Sequence, residues 1–186
     1  MDISRNKITG EIARGDLGKN MRIGDWENCL DSDGNILPKF RTYINNQDLQ
    51  NAKNGKIKEL EVFHESDEAR ILTINNTFKV STNYETSRKW FNEIINDLEN
   101  ESDVTGKSHD DIVFEWEIAA GVWLPLKLSQ LKQFKYAVFN ITSVNFKQYR
   151  THIKAIESLT TKTKIKNYDF KKGYLLNNKL NFNNDF

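Results

Sequence analysis

Asp110, Asp111, Glu115 and Glu117 are the densest group of side chains in this sequence with a chemical capability. Two carboxylates two residues apart on a strand project from the same side, and with an upstream Asp they can share a hard divalent cation. Metal-dependent nuclease cores order their acids in broadly this way. The catalytic Lys expected two residues after the last acid is absent, because that position holds Ala119. A charged outer face on an amphipathic strand accounts for the same residues without a metal, so no metal ligand set is expected. The histidines His64, His109 and His152 are far apart, without His-x-x-x-His or Cys-x-x-Cys company, and read as titrating surface groups rather than zinc ligands. Cys29 has no basic or histidine neighbour in sequence to activate its thiol. Glycine-rich phosphate loops are missing. The expectation is a chain with no enzymatic activity and no cofactor.

Composition narrows the class further. The 186 residues can form one domain of ordinary size, and 38% apolar content supports a lean core. A single cysteine excludes an internal disulfide and fits a reducing compartment. Lys and Arg number 27 against 26 Asp and Glu, so the net charge of +1 exerts no global pull on nucleic acid or anionic lipid. No apolar run approaches the roughly 20 residues that span a bilayer, and MDISRNKITG lacks a signal-peptide core. A soluble, intracellular chain is expected. Its charge is nonetheless uneven. Glu93 to Glu117 holds nine acids and one base, Lys107, whereas Leu126 to Phe186 holds twelve bases and three acids. Such a chain can neutralise itself or present opposite signs to two neighbours, which suits self-assembly.

Local patterns define the elements that must position these groups. Residues 1–56 look loosely structured, with turns at Asp33-Gly34-Asn35 and Asn54-Gly55. Lys56 to Phe63 reads as a strand, His64 to Glu68 as a turn, and Arg70 to Ile74 as a returning strand, continued at Phe78 to Val80 after Asn75-Asn76. Thr82-Asn83-Tyr84-Glu85 fits a capping box, and Tyr84, Phe91, Ile94, Ile95 and Leu98 share a stripe, which predicts a helix over about 84–99. Asn100 to Asp111 is a polar loop. Ile112 to Ala119 alternates as a half-buried strand, and Gly121 and Pro125 interrupt any longer element. Leu126 to Phe134 is ambiguous; Lys135 to Phe146 is strongly β in composition. Gln148 to Leu159 suits a short helix, and Thr160 to Phe186 reads as a basic arm lying on something else.

Taken in order, four blocks resemble those of phage tail tube proteins, especially tubes of contractile-tailed phages. Arg14-Gly15-Asp16-Leu17-Gly18-Lys19-Asn20-Met21 is similar to the family's opening segment, and Leu37-Pro38 to a Leu-Pro ahead of a long hairpin. Leu72-Thr73-Ile74 with Tyr84 to Phe91 resembles the strand-then-helix block. Gly121-Val122-Trp123-Leu124-Pro125, Leu128-Ser129-Gln130-Leu131 and Phe139-Asn140-Ile141-Thr142 resemble the closing signature, with an extra Leu124 inside the Trp-Pro pair. The resemblance implies a mainly β (α+β) fold: an antiparallel β-barrel or sandwich over 1–150, one packed helix, and a basic C-terminal extension over 151–186. It implies a virion structural protein assembled in the host cytoplasm, its subunits forming stacked hexameric rings in the tail. Sheath or baseplate proteins would be its partners, DNA would pass without specific binding, and no membrane would be involved. Asp16, Asn20, Trp123 and Pro125 then become candidates for contacts between subunits. Glu115 and Glu117 become candidates for a channel lining that repels phosphates. Two rival readings stand beside it: a divalent-metal nuclease using Asp111, Glu115 and Glu117, and a small phage host-interaction protein that docks through its basic arm.

Overall fold

The computed structural model describes residues 2–15, 26–82, 84–119 and 121–182, without the side chains of 84–90, 118, 119 and 122. Among these residues about 52% is helical, in five helices, and the strands lie in small sheets, none closed into a barrel. The fold is α+β. The mainly β barrel or sandwich implied by the resemblance is therefore corrected, and the reason lies in two segments whose apolar residues repeat every three to four positions rather than every two. The chain divides into two compact units: Met1–Gly55 with Leu159–Asn167, and Lys56–Ser158 with Tyr168–Phe186. This division falls elsewhere than at residue 150.

In the first unit, β1 (Ile3–Asn6) lies between β2 (Ile12–Arg14) and β3 (Trp26–Asn28), all antiparallel. Pro38 opens α1 (Pro38–His64), where its missing N–H costs no hydrogen bond. Phe40 and Ile44, one turn apart on α1, pack with Ile3 and Cys29. Burial pushes the Cys29 thiol up, so it stays protonated and inert. The expected Asp33-Gly34-Asn35 turn is present: the Asp31 carboxylate accepts the N–H groups of Asp33 and Asn35, and Gly34 takes φ +81°. Asp48 pairs with Arg14 and with Lys162 of α5 (Lys162–Lys166), which draws its carboxyl below the usual range.

The second unit begins inside α1. Asn54-Gly55, expected as a turn, sits in the helix, and so does the predicted strand Lys56 to Phe63. Leu60 and Phe63 are buried while Val62 is 66% exposed, a period of three that no strand produces. After the short α2 (Asp67–Arg70), β4 (Ile71–Ile74) and β5 (Phe78–Ser81) form the hairpin that the sequence suggests. Asn75 and Asn76 both have positive φ, which short polar side chains tolerate, and Thr77 N–H closes the turn on Ile74 O. On its other edge β4 pairs in parallel with β8 (Asn178–Leu180). α3 (Tyr84–Thr105) starts where predicted but runs longer. It stops at Gly106, whose φ of +67° lets its N–H turn back onto Ser102 O.

β6 (Val113–Ala119) and β7 (Val122–Lys127) make an antiparallel hairpin whose Phe114, Trp116, Leu124 and Leu126 face the core. Leu128 N–H donates to Ile112 O, and inward and outward groups alternate along such a pair, so the nitrogen of Pro125 points away from β6. A proline there blunts the free edge of β7. The largest correction concerns α4 (Leu128–Ser158), which takes up the segment Lys135 to Phe146 that reads as β by composition. Leu131, Phe134, Val138, Ile141, Asn145, His152 and Ile156 are among its buried side chains, at helical spacing. Of the residues read as an arm, those up to Asn167 belong to the first unit and those from Tyr168 to this one, where Tyr168, Phe170 and Tyr174 pack with Leu60, Phe63 and Ile156, and Phe182 enters the main core.

Candidate functional site

Two local devices start α4. Gln130 Oε1 accepts the Lys127 N–H at 2.9 Å, the return half of a capping box, and Ser129 Oγ donates to Asp110 Oδ1 at 2.6 Å. With the core stripe fixed inward, a rotation of about 100° per residue carries Tyr136, Phe139, Ser143, Phe146 and Arg150 to the opposite side. These too follow a three-four spacing. Tyr136 is 77% exposed and Phe146 51%, and Phe139 is half-buried. A second aromatic stripe thus faces solvent. Cations frame it: the Arg150 guanidinium lies 5.3 Å from the Phe146 ring centre and the Lys135 ammonium 5.9 Å from that of Phe139. Along α4 stand five bases (Lys132, Lys135, Lys147, Arg150, Lys154) and one acid, Glu157.

Beside the stripe opens a cleft of about 440 Å³, in which Ser143, Phe146 and Tyr149 of α4 stand with Glu61, His64 and Glu65. His64 stacks on Tyr149, ring centres 4.6 Å apart. Arg70 Nε donates to His64 O at 3.0 Å, and its guanidinium pairs with Glu65. Burial and the adjacent Glu61 charge push the Tyr149 hydroxyl up, so it remains a donor. At the inner side Asn145 is fully engaged: its amide donates to Ala69 O (2.7 Å) and Leu175 O (3.0 Å) and accepts Leu175 N–H (2.7 Å).

Burial, then the Arg70 charge, holds the His64 imidazole below its ordinary value, against a weaker pull from Glu65. The unfolded chain takes up this proton near about pH 6.5, whereas the folded chain does so only at lower pH. Stability is therefore complete above that point and declines as the pH falls through it. Urea titrations at about pH 7.5 and about pH 5.5 should show this loss. His64→Phe, which keeps the stack, should lose less, and equal losses in the two proteins would sink the assignment.

The structure scatters the residues singled out in the sequence. Asp16 and Asn20 lie outside the described residues. Trp123 is 53% exposed on β7, opposite Glu117, and Pro125 sits opposite Glu115. All four belong to the outward side of the hairpin, with Glu115 and Glu117 exposed and Pro125 partly covered. Glu117 accepts the Gly121 N–H at 2.9 Å, Asp111 accepts from Ser108, and Asp110 from Ser129. Local turns thus occupy two of the four acids, and the start of α4 a third. No group of three His, Cys, Asp or Glu residues able to hold a metal occurs among the described residues. The histidines stay apart: His109 is exposed, His64 lies on Tyr149, and His152 is buried. His152 Nε2 donates to Lys172 O at 2.9 Å, and its Nδ1 lies 2.8 Å from the Tyr168 hydroxyl.

Tyr136, Phe139 and Phe146 are the side chains that reading by composition misses. Their spacing is visible only in a segment already taken as helix. No family model, curated protein or solved structure matches the chain. Of the tube-like blocks, Leu72 to Ile74 does form a strand ahead of a helix. Leu128 to Leu131 begins α4, however, and Phe139 to Thr142 is its middle, where the resemblance implies sheet. No helix among the described residues is long and apolar enough to cross a membrane.

Proposed function

We propose that this chain is a non-catalytic docking protein whose α4 presents its outward stripe to an acidic, amphipathic helical segment of a protein partner. The observation that carries this reading is the exposed Tyr136–Phe139–Phe146 stripe framed by Lys135, Lys147, Arg150 and Lys154. Exposing large aromatic side chains at helical spacing is costly for a free surface and suits a helix packed against it. The cations then choose an acidic partner and speed its approach. A nucleic-acid partner is less well served, because the same unit carries the acid-rich run from Glu93 to Glu117 and the chain's net charge is only +1. The ring-forming conduit implied by the tube resemblance draws no support from a fold without a closed barrel.

The test is fluorescence anisotropy with a labelled, Glu- and Leu-rich amphipathic peptide. Saturable binding is expected, weakened at least about tenfold by Tyr136→Ala combined with Phe146→Ala. Both side chains are exposed, so the variant should keep the wild-type circular dichroism. A peptide with Lys in place of Glu should not bind. Tighter binding of a single-stranded DNA oligonucleotide than of the acidic peptide would overturn the reading.

A further inference from the structure

We infer that the acidic partner is a second copy of this chain, presenting the outward face of its α3; this rests on the docking reading above. From Phe91 to Thr105, α3 carries five acids and no base. Its core side is made by Phe91, Ile94, Ile95 and Leu98. On the opposite side, Glu93, Asp97, Asn100 and Val104 follow a spacing of four, three and four. Asp97 is exposed, and Val104 is 87% exposed, an apolar side chain left on an acidic helix. This stripe complements the one on α4 in both respects. It brings carboxylates where α4 has ammonium and guanidinium groups, and an apolar contact where α4 has aromatic rings.

The two stripes cannot satisfy each other within one molecule. α3 and α4 pack on each other through their core sides, with Phe91 5.0 Å from Phe134, and both stripes are turned away from that core. Lys132 and Glu99, paired at 2.6 Å, are joined across the two helices at home. Lys135 also faces Glu99, whereas Lys147, Arg150 and Lys154 are exposed and look outward, towards a neighbour. Because the contact joins two different surfaces, every copy keeps one stripe of each kind unfilled after the first contact forms. Growth continues until the rotation between copies closes a ring or runs on as a filament.

Sedimentation velocity of the full chain tests this. The weight-average mass should rise with protein concentration, and association should weaken at least about tenfold when salt shortens the screening length from roughly 10 Å to roughly 3 Å. Lys147→Glu with Arg150→Glu should weaken association about 100-fold, and Asp97→Lys with Asn100→Lys should do the same, each with unchanged circular dichroism. Equimolar mixing of the two variants should restore assembly, because each reversed stripe now complements the other. A wild-type chain that stays monomeric while the acidic peptide binds would overturn the inference and leave the docking reading standing. If neither the peptide nor a second copy binds, both fall. Assembly that survives both reversals would overturn the inference by showing that other faces make the contact.

Discussion

Phe134→Ala is expected to lower the unfolding free energy by about 3–5 kcal/mol. Phe134 has no exposed surface, and its ring lies 5.0 Å from that of Phe91 and 4.8 Å from that of Trp116. It thus stands where α3, α4 and the β6–β7 hairpin meet. Truncation removes the ring's contacts with all three elements and leaves a cavity that none can close alone, since each is held by its own hydrogen bonds. At about 2–4 °C per kcal/mol for a chain of this size, the melting temperature should fall by roughly 6–20 °C. Urea unfolding followed by tryptophan fluorescence gives the value, and a loss under about 1.5 kcal/mol would mean that the site collapses around the smaller side chain. Phe134→Leu, which retains most of the volume, should cost clearly less.

The next largest effect is expected at Asn145, 3% exposed on α4. Its amide satisfies the carbonyls of Ala69 and Leu175 and the N–H of Leu175. Asn145→Ala leaves Ala69 O and Leu175 N–H without their side-chain partner, while Leu175 O keeps the Asn178 amide, at a combined cost of about 2–4 kcal/mol. Asn145→Asp keeps the shape and the acceptor but loses both donors, placing an ionised oxygen against two carbonyls. That carboxyl should have a raised folded-state pKa, so the folded chain binds the proton more tightly than the unfolded chain. The Asp variant should therefore recover stability relative to wild type as the pH falls, and the Ala variant should not. Identical pH profiles for the two variants would refute the amide-clamp assignment.

How much of the fold is legible in the sequence depends on the strength of local geometry. The Ile112 to Ala119 alternation, the Asn75-Asn76 turn and the start of α3 at Tyr84 each rest on a few adjacent residues, and each is found where expected, although the Thr82 hydroxyl donates to Arg70 O. α1 is hidden by its Asn-rich middle, including Asn54-Gly55, which is poor in helix formers and is held between two packed ends. α4 is hidden by composition. Val138, Ile141, Val144 and several aromatic residues favour strand, yet burial at a three-four spacing decides for helix. Once that segment reads as strand, its outward stripe cannot be seen. In a strand Phe139 would lie on the side opposite to Tyr136 and Phe146, and only about 100° between successive residues brings all three to the outward side. Trp123, singled out beside Gly121 and Pro125 as a candidate contact between subunits, is 53% exposed.

The pairing of β4 with β8 has a consequence for synthesis. Asn75 accepts the Phe182 N–H from 107 positions further along, and Leu72 pairs with Asn178. β4 and β5 therefore leave the ribosome as an incomplete sheet. At roughly 5–20 residues per second, the third strand follows about 5–20 s later. Throughout that interval the nascent chain carries an open β4 edge and a core lacking Phe182, so its second unit can complete its folding only after β8 and Phe182 have been translated.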